Sequence, residues 1–189
     1  MKEPRIATPA EFFLEKSKKK KHPNFKKIQN DFVDSEILEI ENFKDVAKKG
    51  NAYKHTKSGY RPDLGMNVRS NWEANFARIL NAYNIQFSFE PVVFSFPIKK
   101  GTKSYTPDFY IDKLSEWVEL KGYLDDKSKI KLKRFKRYYE EDFNNLTFII
   151  SKYSREAKSF ASEIEIPTIV FYEDIKAFYA DKIPYWEGK

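Results

Sequence analysis

The order of helix-like and strand-like segments between residues 61 and 189 constrains the fold of this chain more than any other sequence feature. A capping box opens a predicted helix from Asn71 to about Tyr83, and three strand-like segments follow, the last ending at Lys121. Helical and strand-like segments then alternate up to about residue 182. Hairpin-connected strands followed by such alternation form a mixed sheet with helices on its faces. We therefore expect an α/β (α+β) fold with a mixed central sheet and helices on both faces.

Hydrophobic patterns predict the individual segments. The continuous apolar run Leu146–Ile150 is typical of a buried central strand, whereas the other strands show alternation. The predicted strands are 85–89 with a continuation at 92–97, 105–111, 117–121, 146–150 and 168–172. The predicted helices after the first are 126–143, 154–164 and 173–182.

Residues 1–60 differ from the rest of the chain and are predicted to be a separate, basic N-terminal region. The segment Thr8–Glu11 is a capping box with proline at the first helical position, and the apolar residues of 37–47 fit a helix loosely. Four consecutive lysines occupy 18–21 in a stretch that we expect to be mobile. We therefore divide the chain into an N-terminal region, 1–60, and a main domain, 61–189.

The composition excludes several kinds of chemistry. The chain has no cysteine and only two histidines, so a disulfide scaffold, a thiol nucleophile, a cysteine zinc site and a histidine-rich site are not expected. Any metal would be held by oxygen atoms, which suit Mg²⁺, Mn²⁺ or Ca²⁺. No apolar run approaches the roughly 18 residues of a membrane-spanning helix. The N-terminus also lacks a signal-peptide core, so we expect a cytoplasmic protein without a membrane partner.

The net charge of +7 indicates an anionic partner, usually a nucleic acid. The alternative is a bias in composition, because lysine, asparagine, isoleucine, phenylalanine and tyrosine are all frequent.

The segment from Pro107 to Lys121 carries the most informative pattern. Side chains of a strand alternate between its faces, so Glu119 and Lys121 share one face while Val118 and Leu120 share the other. If the strand that holds Asp108 is adjacent, two carboxylates and an ammonium group converge. Metal-assisted phosphodiester hydrolysis needs this combination, because carboxylates hold a divalent ion and a lysine offsets charge on the phosphate.

The pattern is short, and the chain repeats parts of it. Five acidic residues lie two positions before a lysine, and the Pro-Asp pair also occurs at Asp63. The alternative interpretation is a surface hairpin with a solvated Glu–Lys pair. The order of the surrounding elements favours Glu119 over the other four acidic residues.

Residues 70–150 resemble the PD-(D/E)xK nuclease superfamily, whose core has the order αβββαβ. Within it, the stretches 69–78 and 119–123 are most similar to small phage-encoded endonucleases, including the endonuclease I type that resolves branched DNA. The resemblance implies a restriction-endonuclease-like core in which Asp108, Glu119 and Lys121 are catalytic. It also implies that Glu73, on the first helix, is catalytic and binds the metal, although Glu73 equally completes the capping box of Ser70.

The implied cofactor is Mg²⁺, with Mn²⁺ as a substitute. Asp108, Glu119, Glu73 and the carbonyl group of Leu120 are the implied metal ligands. The resemblance leaves the shape of the DNA substrate open, and RNA is not excluded. A junction-resolving enzyme needs two active sites, so a homodimer, or a partner protein bound through residues 1–60, is a further expectation.

Basic residues near this segment are predicted to bind DNA. The helix 126–143 has no acidic residue between 127 and 137, so its charges repel one another and favour an anionic partner. A solvated lysine-rich face is the alternative. The predicted contacts are Arg61 and Arg69, which precede the first helix, and Lys127, Lys129, Lys131, Lys133, Arg134, Lys136 and Arg137 on the basic helix.

These observations favour a Mg²⁺-dependent DNA endonuclease. The main alternative is a non-catalytic nucleic-acid-binding protein that uses the basic helix. A structural or interaction protein whose charge reflects composition alone is the third hypothesis. This third kind of protein would show no salt-dependent DNA binding, whereas the log affinity of a true DNA-binding protein falls linearly with log salt.

Overall fold

The structure is a computed structural model that describes residues 4–14 and 58–188. The predicted helix within 37–47 and the lysine-rich stretch at 18–21 lie outside these residues. Within the two described segments, no helix combines the length and the apolar character needed to cross a membrane.

Ten strands form one large sheet and two small hairpins in this part of the chain. Six strands build the main sheet in the order β1-β10-β9-β8-β7-β4, while β2 pairs with β3 and β5 pairs with β6. Their bounds are Arg5–Ala7 (β1), Gly59–Arg61 (β2), Met66–Val68 (β3), Phe87–Phe89 (β4), Phe94–Ser95 (β5), Ser104–Tyr105 (β6), Phe109–Ile111 (β7), Glu116–Lys121 (β8), Leu146–Ile150 (β9) and Thr168–Phe171 (β10).

Six α-helices accompany these strands in the described segments. Four of them begin at a side-chain cap, since Thr8, Ser70, Asp125 and Ser154 each accept a backbone N–H of the first turn. The helices are Pro9–Leu14 (α1), Asn71–Ala82 (α2), Asp126–Tyr138 (α3), Glu140–Phe143 (α4), Arg155–Glu163 (α5) and Tyr172–Tyr179 (α6).

The main sheet is mixed, as predicted. Strands β4, β7 and β8 are antiparallel neighbours, whereas β8, β9, β10 and β1 run parallel. Every residue of β9 is buried, which confirms the prediction of a central strand. The parallel strands are joined by helices, because a parallel connection must cross from one end of the sheet to the other.

Separate hydrophobic clusters cover the two faces of the sheet. Val118 and Leu120 of β8 pack in a cluster with residues of α1, α2 and α6, whereas Trp117 packs in the cluster that includes α3, α4 and α5. The predicted alternation along β8 is therefore confirmed, and helices lie on both faces. Glu119 and Lys121 consequently belong to the face covered by α3.

Two predicted segments are interrupted. The predicted strand 105–111 is divided between β6 and β7 by residues 106–108, where Pro107 has no N–H to donate to a ladder. The predicted helix 126–143 ends at Tyr138, since Tyr139 adopts φ −138° and ψ 57°, and α4 then starts at Glu140.

The N-terminal strand β1 was not predicted, because three residues are too few for a periodic pattern. It pairs in parallel with β10, and its Ala7 is buried in the same core cluster as Phe12 of α1. The capping box at Thr8 is confirmed, since Thr8 and Glu11 exchange side chain–backbone hydrogen bonds of 2.8 and 3.2 Å. Residues 5–14 therefore belong to the main sheet unit, and the predicted boundary at residue 60 falls inside β2.

Candidate active site

Strand pairing brings the two carboxylates predicted to act together, Asp108 and Glu119, onto neighbouring strands. Phe109 of β7 lies opposite Val118 of β8, and the same antiparallel register continued by one residue places Asp108 opposite Glu119. The backbone N–H of Leu120 donates to Asp108 Oδ2 at 2.8 Å, which fixes the aspartate against β8. The predicted convergence across the hairpin is therefore confirmed.

Glu119 is held by two donors on opposite sides. The Lys121 Nζ atom lies 2.6 Å from Glu119 Oε1, and the Tyr105 hydroxyl donates to Glu119 Oε2 at 2.9 Å. Both carboxylates are buried, with Asp108 4% and Glu119 2% exposed, whereas the Lys121 side chain is 27% exposed. Lys121 thus has the most exposed side chain of this cluster.

The cluster carries more negative than positive charge. Burial and the nearby charges of Glu119 and Glu73 raise the pKa of Asp108 well above its ordinary value, although Lys121 and the Leu120 N–H oppose this shift. Burial acts to lower the pKa of Lys121, but Glu119 and Asp108 outweigh it and the pKa is raised. Lys121 is therefore expected to stay protonated, and Asp108 favours a second positive charge beside it, from a proton or a metal ion.

Glu73 performs the capping role that its position predicts. Its Oε1 accepts from the Ser70 hydroxyl and its Oε2 from the Arg69 N–H, both at 2.8 Å, while its own N–H donates to Ser70 Oγ at 3.2 Å. Glu73 is buried and close enough to raise the pKa of Asp108. Each of its two oxygen atoms accepts one hydrogen bond and keeps a second lone pair, so the capping role leaves acceptor sites for a metal ion.

The donor atoms fit a hard divalent cation in kind but supply only part of a shell. Asp108 and Glu119 offer buried carboxylate oxygens, which Mg²⁺ and Mn²⁺ prefer. Among residues 4–14 and 58–188, no three acidic or histidine side chains are close enough to form a metal-binding group. The structure thus places two carboxylates together, with Glu73 nearby but outside such a group.

Tyr105 is a member of the cluster that the sequence analysis missed. Its phenol is buried, and burial, followed by the charges of Glu119 and Asp108, raises its pKa well above the ordinary value. Strand alternation through 105–111 would have placed Tyr105 on the face of Phe109. The break at 106–108 instead puts Tyr105 in the cluster with Trp117, and Phe109 in the other one.

The remaining acid-x-Lys and Pro-Asp patterns have structural roles. Asp63 pairs with Arg78 at 2.6 Å, and Asp125 is the N-cap of α3. The other three acids form ion pairs elsewhere: Glu156 with Lys129, Asp174 with Lys152, and Glu187 with Arg61 and Arg78. Of the five, only Glu119 lies opposite a second buried carboxylate.

The basic helix α3 is partly neutralised by the protein itself. Lys129, Lys133 and Lys136 pair with Glu156, Glu163 and Glu165 at 2.5, 2.6 and 2.8 Å, respectively. These three glutamates come from α5 and from the second residue after its end. The prediction that the positive charges of α3 repel one another without a counter-charge is therefore wrong for the face of α3 that carries these three lysines. Arg134 instead donates to the carbonyl of Thr102, and Arg137 lies 5.4 Å from the Tyr138 ring centre.

A second face of α3 points toward the candidate site. Burial lowers the pKa of Lys131, and the positive charges of Lys121, Lys127 and Arg69 add to that effect. These four cations are therefore close enough to influence one another. The exposed Arg69 side chain also pairs with Glu90.

Arg61 does not belong to this basic group. Its side chain is fully buried, and its Nε and Nη2 atoms donate to the Glu187 carboxylate at 2.6 and 2.9 Å. The prediction that Arg61 contacts DNA is therefore wrong, because a phosphate cannot reach it without displacing Glu187. No sequence pattern reveals this pair, since its members are 126 residues apart.

No protein-family model, curated protein or solved structure matches this chain.

Proposed function

We propose that this chain is a metal-dependent DNA endonuclease of the PD-(D/E)xK type. The order of elements supports the proposal: α2 is followed by the antiparallel strands β4, β7 and β8, then by α3 and the parallel strand β9. This order agrees with the αβββαβ order that the resemblance implies, apart from the β5–β6 hairpin between β4 and β7.

One observation carries the proposal, namely the buried carboxylate pair of Asp108 and Glu119 with Lys121 beside it. Burial of two carboxylates with one ammonium group leaves excess negative charge in a poorly hydrated position. Proteins retain such an arrangement where it binds a cation or takes part in chemistry.

In the proposed reaction, Asp108 and Glu119 hold the divalent ion, and the Leu120 carbonyl remains a predicted third ligand. A bound Mg²⁺ would polarise the scissile phosphate and acidify a bound water molecule. Lys121, kept protonated by the carboxylates, offsets the negative charge that develops on the phosphate. Tyr105 fixes the orientation of Glu119 through its hydroxyl group.

The basic group around the site supports DNA as the substrate. The charges of Lys121, Glu119, Lys127 and Arg69 all act on the pKa of Lys131, and that of Arg69 acts on the pKa of Lys121, so these cations lie near the carboxylate pair. Lysine and arginine side chains beside a reactive centre position a phosphate backbone through contacts that carry no sequence information. We therefore propose that Lys127, Lys131 and Arg69 guide the strand, whereas Lys129, Lys133 and Lys136 contribute less.

The test is cleavage of supercoiled plasmid and of a synthetic four-way junction, with Mg²⁺ or Mn²⁺ and with EDTA. Asp108→Asn and Glu119→Gln should abolish cleavage while DNA binding is retained. Asp174→Asn is the matched control, because Asp174 has the same acid-x-Lys spacing but forms a surface ion pair with Lys152. Its cleavage rate should equal that of the wild type.

Two results would contradict the proposal. The first is purified wild-type protein that binds DNA but cuts neither substrate with either metal, which favours the non-catalytic binding protein. The second is cleavage that persists in Asp108→Asn, which would place the activity at another site or in a contaminant.

A further inference from the structure

Tyr123 and Tyr153 are the two most exposed large apolar or aromatic side chains among residues 4–12 and 58–188, whose side chains the structure describes. They are 79% and 75% exposed, whereas no other residue of this kind exceeds 61%. A ring that stays this exposed loses little accessible surface on folding, so packing in the hydrophobic core does not explain a tyrosine at either position. They lie in the segments that directly follow β8 and β9.

Both tyrosines emerge at the same edge of the sheet as the candidate active site. Lys121 of β8 is paired in parallel with Ile150 of β9. Tyr123 follows Lys121 by two residues, and Tyr153 follows Ile150 by three. Because the strands are parallel neighbours, their carboxyl ends lie side by side, and both tyrosines follow strand ends at the edge of the sheet where Lys121 lies.

The turn that carries Tyr153 is fixed by hydrogen bonds. Glu173, in the first turn of α6, accepts from the Ser151 hydroxyl at 2.5 Å and from the Lys152 N–H at 2.8 Å. The Tyr153 N–H in turn donates to Ser151 Oγ at 3.2 Å. The ring is therefore presented on an ordered backbone, and Lys152 Nζ lies 5.6 Å from its centre.

The turn that carries Tyr123 is supported by aromatic packing. A Cβ atom at Gly122 would lie 3.6 Å from the Trp72 ring, so this ring covers the backbone next to Tyr123. Trp72 itself stacks on Tyr172, with ring centres 3.9 Å apart and planes within 7°. Both tyrosines thus combine a supported backbone with an exposed ring.

We propose that Tyr123 and Tyr153 form a stacking platform for unpaired bases of the substrate strand. Basic side chains that track the backbone, together with exposed aromatic rings, are the usual means of binding single-stranded nucleic acid. A base can stack on a tyrosine only after leaving its neighbours in the duplex. The substrate class is therefore DNA with unpaired nucleotides next to the scissile phosphate, and this inference rests on the proposed function.

Binding without hydrolysis tests the inference separately from catalysis. The probes are a fluorescein-labelled oligothymidylate of about 15 nucleotides, long enough for a typical single-strand site, and a blunt duplex of equal phosphate number. Fluorescence anisotropy in EDTA gives the affinity of the full-length wild type and of each variant. Tyr123→Ala and Tyr153→Ala should each weaken oligothymidylate binding by about 5-fold to 100-fold, and leave duplex binding unchanged.

Three controls separate stacking from other effects. Tyr123→Phe keeps the ring and should bind as the wild type does. Phe178→Ala removes another exposed aromatic ring, near the end of α6, and should change nothing. An oligonucleotide whose bases are replaced by abasic sites should bind the wild type and Tyr123→Ala equally, because it has no base to stack.

The outcomes distinguish the two proposals. The stacking platform would be overturned if the alanine variants lost affinity equally for the single strand and the duplex, or if neither variant lost affinity. The endonuclease proposal would stand in both cases. No binding to either probe would overturn both. The platform would be supported if the alanine variants lost affinity for the single strand alone and if the wild type and Tyr123→Ala bound the abasic oligonucleotide equally. This conclusion does not depend on whether cleavage is seen.

Discussion

Replacing Asp108 by asparagine should stabilise the metal-free protein while it abolishes cleavage. Residues opposite each other on antiparallel strands have Cβ atoms about 5 Å apart. At this separation two unit charges repel by about 3 kcal/mol at an effective dielectric constant near 20. Lys121, 2.6 Å from Glu119, offsets part of this repulsion, so we expect a net gain of about 1–2 kcal/mol in the free energy of unfolding. The asparagine oxygen can still accept the Leu120 N–H.

The assay is thermal unfolding in EDTA, followed by circular dichroism. For a chain of this size each kcal/mol shifts the Tm by about 2–4 °C, so the variant should melt about 2–8 °C higher at neutral pH. The folded-state pKa of Asp108 is raised, so the wild type is stabilised by protonation at low pH and loses this contribution as the pH rises through the raised pKa. The advantage of Asp108→Asn should therefore vanish near pH 4, about the ordinary carboxyl value.

Added Mg²⁺ should reverse the order of stability. A ligand that binds only the folded state raises the Tm, so Mg²⁺ should stabilise the wild type and leave Asp108→Asn unaffected. Asp174→Asn, at a partly exposed ion pair, should change the free energy of unfolding by less than about 0.5 kcal/mol. A lower Tm for Asp108→Asn in EDTA, or an unchanged difference between neutral and acidic pH, would refute the electrostatic reasoning.

Three further predictions concern other parts of the site and its support. Tyr105→Phe removes the hydroxyl group that donates to Glu119 Oε2, so the free energy of unfolding should fall by about 1.5–3 kcal/mol. Direct titration should also show a changed affinity for Mn²⁺. If neither quantity changed, the role of Tyr105 in positioning Glu119 would be contradicted. Glu187→Gln leaves two buried arginines short of a counter-charge, and chemical denaturation should show a loss of about 3–5 kcal/mol; a loss below about 1 kcal/mol would argue against that network. Lys131→Ala should reduce the slope of log DNA affinity against log salt by about 1. Lys133→Ala, which breaks an ion pair with Glu163 and a contact with the Phe160 ring, should leave that slope unchanged; equal slopes for the two variants would exclude a special role for the Lys131 face.

Much of the candidate site could be predicted because it depends on strand geometry. Alternation in β8 places Glu119 and Lys121 on one face whatever the rest of the chain does, provided that the segment is a strand. The apolar pair Val118 and Leu120 then decides which face is buried in the larger core. Asp108 and Glu119 lie at consecutive strands of a hairpin, and such strands usually pair. Their proximity could therefore be predicted from the order of strands along the chain.

The break between β6 and β7 shows where such reasoning fails. A strand pattern keeps its faces only while the backbone stays regular, and residues 106–108 depart from it. Tyr105 therefore reaches Glu119 from a different hairpin, and no spacing in the sequence reveals the contact.

Elements whose causes lie within a few residues could be predicted from local sequence, including the capping boxes at Thr8 and Ser70 and the buried strand β9. Which charges are available for binding depends instead on how distant parts of the chain pack together. Arg61 is buried because Glu187, 126 residues away, lies against it, and Lys133 is paired because α5 packs beside α3. A charge on a helix or strand has a free energy set by everything that surrounds it in space. Helical and strand periodicity report only which way a side chain points, so they do not reveal its distant partners.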